Sequence, residues 1–267
     1  LFIMKKYFVI GNPIQHSLSP KIHNYWFKKN NINALYEKKK IIEQDLQSII
    51  FDVKEKKING INVTVPFKKK VIPYLDKLSP EAKHTQSVNT IMLNNNNLVG
   101  HNTDIIGFVE AIKNLNFNIA GKKIFILGAG GVVPSIIFAL KKMNVSKIVI
   151  SNRTKKKAED LKLSFHNLEI IDWGDMVDFD VIINATSLGL NKETINLDFS
   201  KSGSNKLFYD VIYNPAETNF LKEGKMLGNK TENGKLMFVY QALEAFKLWH
   251  GIEPEVNFET LKLLKND

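Results

Sequence analysis

The sequence predicts an α/β protein of two domains, and three observations predict it. In the middle third, short apolar runs alternate with helical segments, the pattern of a parallel sheet covered on both faces. Gly128-Ala129-Gly130-Gly131 stands between one such run and a helix. The first hundred residues have a rhythm of their own, with a hairpin signal near their end. The boundaries read from this are an N-terminal αβ domain over 1–103 plus 238–267 and a doubly wound, Rossmann-type domain over 104–237.

Taken in order, Lys6–Ile10 reads as a strand. Ser19-Pro20 opens a helix that runs through Lys29, with Ser19 as N-cap and Pro20 at N1. Ala34–Lys39 is a strand and Asp45–Lys56 a helix. Gly60–Val65 is an apolar-rich strand stopped by Pro66, and Ser79-Pro80-Glu81 repeats the capping pattern. Asn89–Leu93 and Leu98–His101 flank an Asn-rich turn, a hairpin, and a helix from Thr103 to Asn114 leads out of the block. Lys123–Leu127 is a strand ending at the glycines, and Val132–Met143 a helix with Pro134 in its first turn. Lys147–Ser151 is the next strand and Thr154–Leu163 the next helix. Leu168–Ile171, Val181–Asn184 and Leu207–Val211 are further strands, and 191–205 and 228–234 read as loops. Lys235–Trp249 and Asn257–Leu264 are helical, with the first placed to pack back on the N-terminal domain.

Composition narrows the function classes. No apolar run approaches the ~20 residues that span a bilayer, and Leu1–Ile10 carries no signal-peptide pattern, so a cytoplasmic protein without a membrane partner is expected. Leu1–Ile3 precede Met4 and are expected to lie outside the natural product. With no cysteine, disulfides, thiolate zinc sites and cysteine nucleophiles are excluded. The histidines show no metal-ligand spacing, so no metal is expected. The net charge of +10 comes from lysines spread in short runs without interleaved aromatics. That pattern solvates a surface and attracts anionic small molecules; no nucleic-acid partner is expected.

Of 37 Lys and Arg residues one is an arginine, Arg153 in Asn152-Arg153-Thr154. It stands at the end of the strand after the glycine turn, where a dinucleotide fold distinguishes its cofactors. A carboxylate there binds the ribose 2′-OH of NAD; an arginine takes the 2′-phosphate of NADP, which its planar fork matches and a lysine does not. The glycines let a backbone approach a pyrophosphate at a helix N-terminus; without a ligand the same run is a tight strand-to-helix turn. In Gly60–Lys68, polar Asn62 and Thr64 alternate with apolar neighbours and share a strand face, either for a polyol ligand or as a half-exposed strand before a basic run. In His101–Asp104, Thr103 or Asp104 either caps the following helix or offers a carboxylate to a lysine. The loop 11–20 holds two hydroxyls, Ser17 and Ser19, of which only Ser19 has an evident structural duty; His16 is read as a loop residue.

These segments, with Val88-Asn89-Thr90, Asn184–Ser187, Asp210–Pro215 and the run from Gly234 to Ala242, together resemble the shikimate dehydrogenase family, in order from about Met4 to the end. The resemblance implies reversible reduction of 3-dehydroshikimate to shikimate with NADPH, an N-terminal substrate domain completed by the C-terminal helices, and a cofactor domain between. It implies that Ser17 and Ser19 hold the substrate carboxylate with Tyr213, and that Asn62, Thr64, Asn89, Asp104 and Gln241 read the hydroxyls. Lys68 and Asp104 are the implied catalytic pair. The implied NADP residues are Gly128, Ala129, Gly130, Gly131, Asn152, Arg153, Thr154, Lys157, Thr186, Ser187, Ile212 and Gly234. The expected partner is the small-molecule substrate, with the chain as monomer or homodimer. Three positions depart from the family pattern: Ile105 replaces a glycine after the aspartate, Val133 fills the third glycine slot, and Lys157 stands where arginine is common. Two alternatives remain, a quinate/shikimate dehydrogenase of relaxed specificity and an NADP-binding sensor without turnover.

Overall fold

A computed structural model describes residues 4–264, so the expectation for Leu1–Ile3 lies outside the described residues. The chain divides into two units, Leu1–Gly107 with Val239–Asp267, and Phe108–Phe238.

In the first unit β1 (Lys5–Gly11), α1 (Ser19–Lys29), β2 (Ala34–Lys40), α2 (Leu46–Lys54) and β3 (Gly60–Val63) form a parallel three-strand core. β4 (Lys77–Leu78), α3 (Pro80–Thr85), β5 (Thr90–Asn94) and β6 (Asn97–His101) extend it to the order β2-β1-β3-β5-β6-β4. β5 and β6 are an antiparallel hairpin whose turn holds Asn95 and Asn96 at positive φ, a conformation asparagine tolerates. α4 (Asp104–Asn114) follows.

Pairing in register sends alternate residues to opposite faces of the sheet. Ile10, Ile61 and Val63 bury one face against Leu46, Ile49 and Ile50 of α2. Tyr7, Tyr36 and Gly60 share the other, and Asn62 stands on that same face opposite Val9. There α1 packs through His23 and Phe27.

The second unit runs β7 (Lys123–Leu127), α5 (Val133–Lys142), β8 (Lys147–Ser151), α6 (Lys155–Asp160), β9 (Leu168–Ile171), β10 (Val181–Asn184), β11 (Leu207–Asp210), α7 (Asn219–Met226) and β12 (Lys230–Glu232). Its six strands are all parallel in the order β12-β11-β10-β7-β8-β9. Strand order reverses between β7 and β10, the point at which doubly wound sheets bind ligands outside their carboxyl ends. Phe125, Phe199, Phe208 and Phe220 fill the core beside α7. α8 (Lys235–His250) and α9 (Phe258–Lys262) end the fold. Within the first unit α8 seats Phe246 at 5.6 Å from Phe27 and Trp249 at 4.9 Å from Tyr7, ring centre to ring centre.

Several local readings change. Ser19 is not the cap of α1 but its first residue; Leu18 holds the cap position with no side-chain bond. The Ser19 N–H is taken by the Ser17 hydroxyl at 3.3 Å, so Ser17 has the local duty assigned to Ser19. The strand expected over Gly60–Val65 ends at Val63; Val65 is exposed and its bond to Pro66 is cis. The expected loop 228–234 contains β12, an edge strand of polar Lys230, Thr231 and Glu232 that only its pairing with β11 defines. β4 and α7 carry no counterpart among the expected elements.

Candidate active site

Lys68 follows β3 in a turn anchored by Phe67, which is buried in the sheet core. Its carbonyl accepts the Val88 N–H at 2.9 Å. Asp104 opens α4, and its N–H donates to Asn102 Oδ1 at 3.2 Å, which frees the carboxylate from capping. Lys68 Nζ donates to Asp104 Oδ2 at 2.5 Å, with both side chains about nine-tenths buried. Of the two readings for Asp104, the carboxylate beside a lysine is the one realised.

Asn89 braces this pair. Its Oδ1 accepts the backbone N–H of Thr103 at 2.8 Å, which fixes the amide orientation. Its Nδ2 is thereby aimed at Asp104 Oδ1 at 3.0 Å, at Thr103 Oγ1 at 2.8 Å and at Gln241 Oε1 of α8 at 3.5 Å. Each Asp104 oxygen therefore has a separate donor, the condition under which a buried charge pair is tolerated.

The loop 11–20 is fastened to the same region. Asn12 N–H donates to Val65 O at 2.9 Å, and Thr64 N–H to Ile10 O at 2.9 Å. A Cβ on Gly11 would lie 2.5 Å from Thr64 Cγ2, so only glycine permits this approach. Ser17 Oγ and Ser19 Oγ lie 3.2 Å apart. Asn62 differs from the expectation. Its Nδ2 hydrogens go to Asn89 O at 3.1 Å and Thr90 Oγ1 at 2.9 Å, and its Oδ1 accepts from Tyr36 OH at 2.7 Å. Both donors are spent inside the protein, which leaves Asn62 only its Oδ1 to offer a ligand hydroxyl. Tyr36, Thr90, Asn102 and Thr103 support the network; the last three lie in motif segments that sequence singled out without giving them this role, and Tyr36 carried no signal there.

In the second unit the glycine turn joins β7 to α5. Gly128 has φ +111°, and a Cβ there would meet Ala185 O at 2.8 Å. A Cβ on Gly130 would meet nothing nearer than Ala185 O at 4.0 Å, and Gly130 and Gly131 are exposed at the start of α5. The space beside Gly130 suits a pyrophosphate. Val133, in the third glycine slot, is buried in the core, and so is Ile105 after Asp104; both departures are absorbed by packing.

Beyond β8, Asn152 Nδ2 donates to Thr154 O at 2.8 Å and shapes the turn that exposes Arg153. Lys155 pairs with Asp172 at 2.7 Å and Lys156 with Asp160 at 2.8 Å. Arg153 and Lys157 enter no ion pair among the described residues, so two cations at this strand end are uncommitted. These residues fit the 2′-phosphate of NADP. Asn184 Oδ1 accepts from Thr186 N–H at 3.1 Å and Thr186 Oγ1 at 2.7 Å, and Asn184 Nδ2 donates to Asp210 Oδ1 at 3.1 Å. Asp210 also accepts from Ile212 N–H at 3.0 Å and Thr218 Oγ1 at 2.6 Å. Burial nonetheless pushes its carboxyl up to about 6. This pair ties together the loops that carry Thr186, Ser187, Ile212 and Tyr213. Tyr213 stacks on Phe238 at 4.5 Å, and Gly234 N–H donates to Ile212 O at 3.0 Å.

The chain is 57% identical over 263 residues to the shikimate dehydrogenase (NADP(+)) of Pelagibacter ubique, an alignment covering 98% of this chain and 99% of that one. The chain belongs to the shikimate dehydrogenase family. Residues 9–91 match the shikimate dehydrogenase substrate binding domain, residues 110–211 shikimate / quinate 5-dehydrogenase, and residues 236–257 the shikimate 5'-dehydrogenase C-terminal domain. Among solved structures, shikimate dehydrogenase from Aquifex aeolicus is 37% identical with a TM-score of 0.90, covering 99% of this chain and 98% of that one. The Thermus thermophilus enzyme, solved in complex with NADP(H) and shikimate, is 30% identical with a TM-score of 0.89, covering 98% of each chain. Among the described residues no helix is long and apolar enough to cross a membrane.

Proposed function

We propose that the protein catalyses the reversible, NADPH-dependent reduction of 3-dehydroshikimate to shikimate. The observation that carries this reading is the buried Lys68–Asp104 pair at 2.5 Å, with Asn89 on the second carboxylate oxygen, in a member of this family. NADPH, when bound, supplies the hydride. Charge then develops on the substrate carbonyl oxygen, and the Lys68 ammonium is the group that stabilises it by donating a hydrogen bond. The proton that completes the alcohol comes from the Lys68–Asp104 pair. Thr64, Asn89, Asp104 and Gln241 bind the ring hydroxyls, and Ser17 and Ser19 the carboxylate; Tyr213 is assigned to that carboxylate by motif match alone. Asn62 serves the supporting network with its amide hydrogens and has only Oδ1 to offer a ring hydroxyl. Gly128–Gly131 with the start of α5 bind the pyrophosphate, and Asn152, Arg153, Thr154 and Lys157 the adenosine 2′-phosphate. Thr186, Ser187, Ile212 and Gly234 complete the cofactor site. As a biosynthetic enzyme of this kind the protein works in the cytoplasm, as a monomer or homodimer.

The test is absorbance at 340 nm on mixing the protein with shikimate and NADP⁺, with quinate and NAD⁺ as parallel arms. A rise with the first pair is expected; turnover of quinate with NAD⁺ alone overturns the assignment. Lys68→Ala is expected to lose at least ~10²-fold in turnover with NADPH binding retained, the scale of one positioned acid or base. Near-normal turnover in that variant removes Lys68 from the reaction.

A further inference from the structure

Tyr36 lies on the sheet face that carries the substrate network, and the protein fixes it on three sides. β2 is an edge strand, and Asn24 of α1 takes over its outward bonding at this residue. Asn24 Nδ2 donates to Tyr36 O at 2.8 Å, and Tyr36 N–H donates to Asn24 Oδ1 at 2.9 Å. The ring stacks flat on His23, centroids 4.3 Å apart and planes 1° from parallel. The phenol is 1% exposed and ends on Asn62 Oδ1.

The direction of every bond in this chain is set by groups that have no choice. Asn89 O is a carbonyl and only accepts, so the Asn62 atom facing it is Nδ2. Asn62 Oδ1 is then the atom facing Tyr36, and the phenol must donate. Thr103 N–H only donates, so Asn89 Oδ1 faces it, and Nδ2 turns to Asp104. Asn62 holds Asn89 through its carbonyl and through Thr90 Oγ1, which in turn donates to Asn89 Oδ1 at 3.1 Å. Removing the phenol hydrogen leaves Asn62 Oδ1 buried without this donor and frees that end of the amide to shift.

We propose that Tyr36 is a positioning residue for the reduction, acting through Asn62 and Asn89 on the placement of Asp104 and Lys68. This rests on the catalytic reading of Lys68 and Asp104 given above. Asn89 O sets which way the Asn62 amide faces, and the phenol holds the Oδ1 end in place at 2.7 Å. A loss of the phenol is therefore felt as misplacement of the reacting pair, not as loss of a substrate contact.

The experiment is a double-mutant cycle on the full chain with Tyr36→Phe and Asn62→Ala, reading kcat, substrate KM and NADPH Kd. Tyr36→Phe keeps the ring and its stack on His23. It is expected to lower kcat about 10-fold, as one buried acceptor deprived of its donor, with substrate KM and NADPH Kd changed less than about threefold. Asn62→Ala is expected to lose at least as much, and the double variant no more than Asn62→Ala alone, because the two act in series. Losses that multiply, or a wild-type kcat in Tyr36→Phe, overturn the proposal. Should Tyr36→Phe not fold, Asn62→Ala decides alone: wild-type kcat there overturns the proposal, and a selective loss in kcat supports it. Lys68→Ala separates the two levels. If it retains turnover, the catalytic reading falls and this inference with it; if it is inactive while the cycle fails, this inference alone falls.

Discussion

In the proposed cofactor site, Arg153 is the residue assigned to cofactor choice. It is exposed after β8, free of ion pairs among the described residues, and flanked by lysines of which Lys155 and Lys156 are already paired. A guanidinium so placed makes charge-assisted bonds to a 2′-phosphate and none to a 2′-hydroxyl of comparable strength. Arg153→Ala is expected to weaken NADPH by about 10-fold or more relative to its effect on NADH, the range for a hydrogen bond to a charged group. Equal losses in paired fluorescence titrations remove the argument. Arg153 was legible in sequence because one guanidinium among lysines stands out at a position with a known geometric task. Lys68 and Asp104 were legible as a pair only through the family resemblance, because the residues between them fold into a separate hairpin and helix and local pattern does not bring them together. The partners of Asn62 were hidden for a related reason: alternation gives the face of a strand, and it does not say that Tyr36 and Thr90 reach that face first.

At the level of elements, strands with apolar runs were readable, and those without were not. β12 consists of Lys230, Thr231 and Glu232, and nothing in those side chains marks a strand; the carbonyls and N–H groups of β11 define it. α7 has a proper start, with Thr218 Oγ1 accepting the Leu221 N–H at 3.4 Å, but it is only eight residues long with Gly224 inside it, and no element was read there from sequence. The contact of β3 with α8 was outside the reach of local pattern altogether. A Cβ on Gly60 would lie 2.5 Å from Trp249 Nε1, which itself donates to Ile91 O at 3.3 Å. Gly60→Ala is expected to cost ~1–3 kcal/mol by overpacking. The measurement is the midpoint of urea unfolding, which should fall with an unchanged slope; an unaltered midpoint shows that Trp249 yields without cost.

For the molecule as a whole, the aromatic layer between α1, α8 and the first sheet sets a limit in acid. Burial pushes His23 down to about 3, with the neighbouring His250 adding to the effect, and burial pushes His250 down to about 4. In the unfolded chain both titrate near ~6.5. Below that value the unfolded state binds more protons than the folded state, so stability falls as pH falls. The contribution is complete above pH ~6.5 and is lost progressively towards the folded values. His23→Phe, which keeps a ring against Tyr36, is expected to move the acid-unfolding midpoint to lower pH, followed by tryptophan fluorescence through Trp26 and Trp249. A midpoint that stays in place or rises counts against His23 as the group responsible.

The side chain of Asn24 has an effect beyond the enzyme's chemistry. By occupying the outward N–H and C=O of Tyr36, it removes from the border of the first sheet two of the main-chain groups that another polypeptide would use to add itself as a new strand. Lys38, Lys39 and Lys40, exposed along the rest of β2, put positive charge on the same border. A chain arriving at this border meets an amide already in place at Tyr36 and a row of ammonium groups, both of which oppose the addition of a strand there.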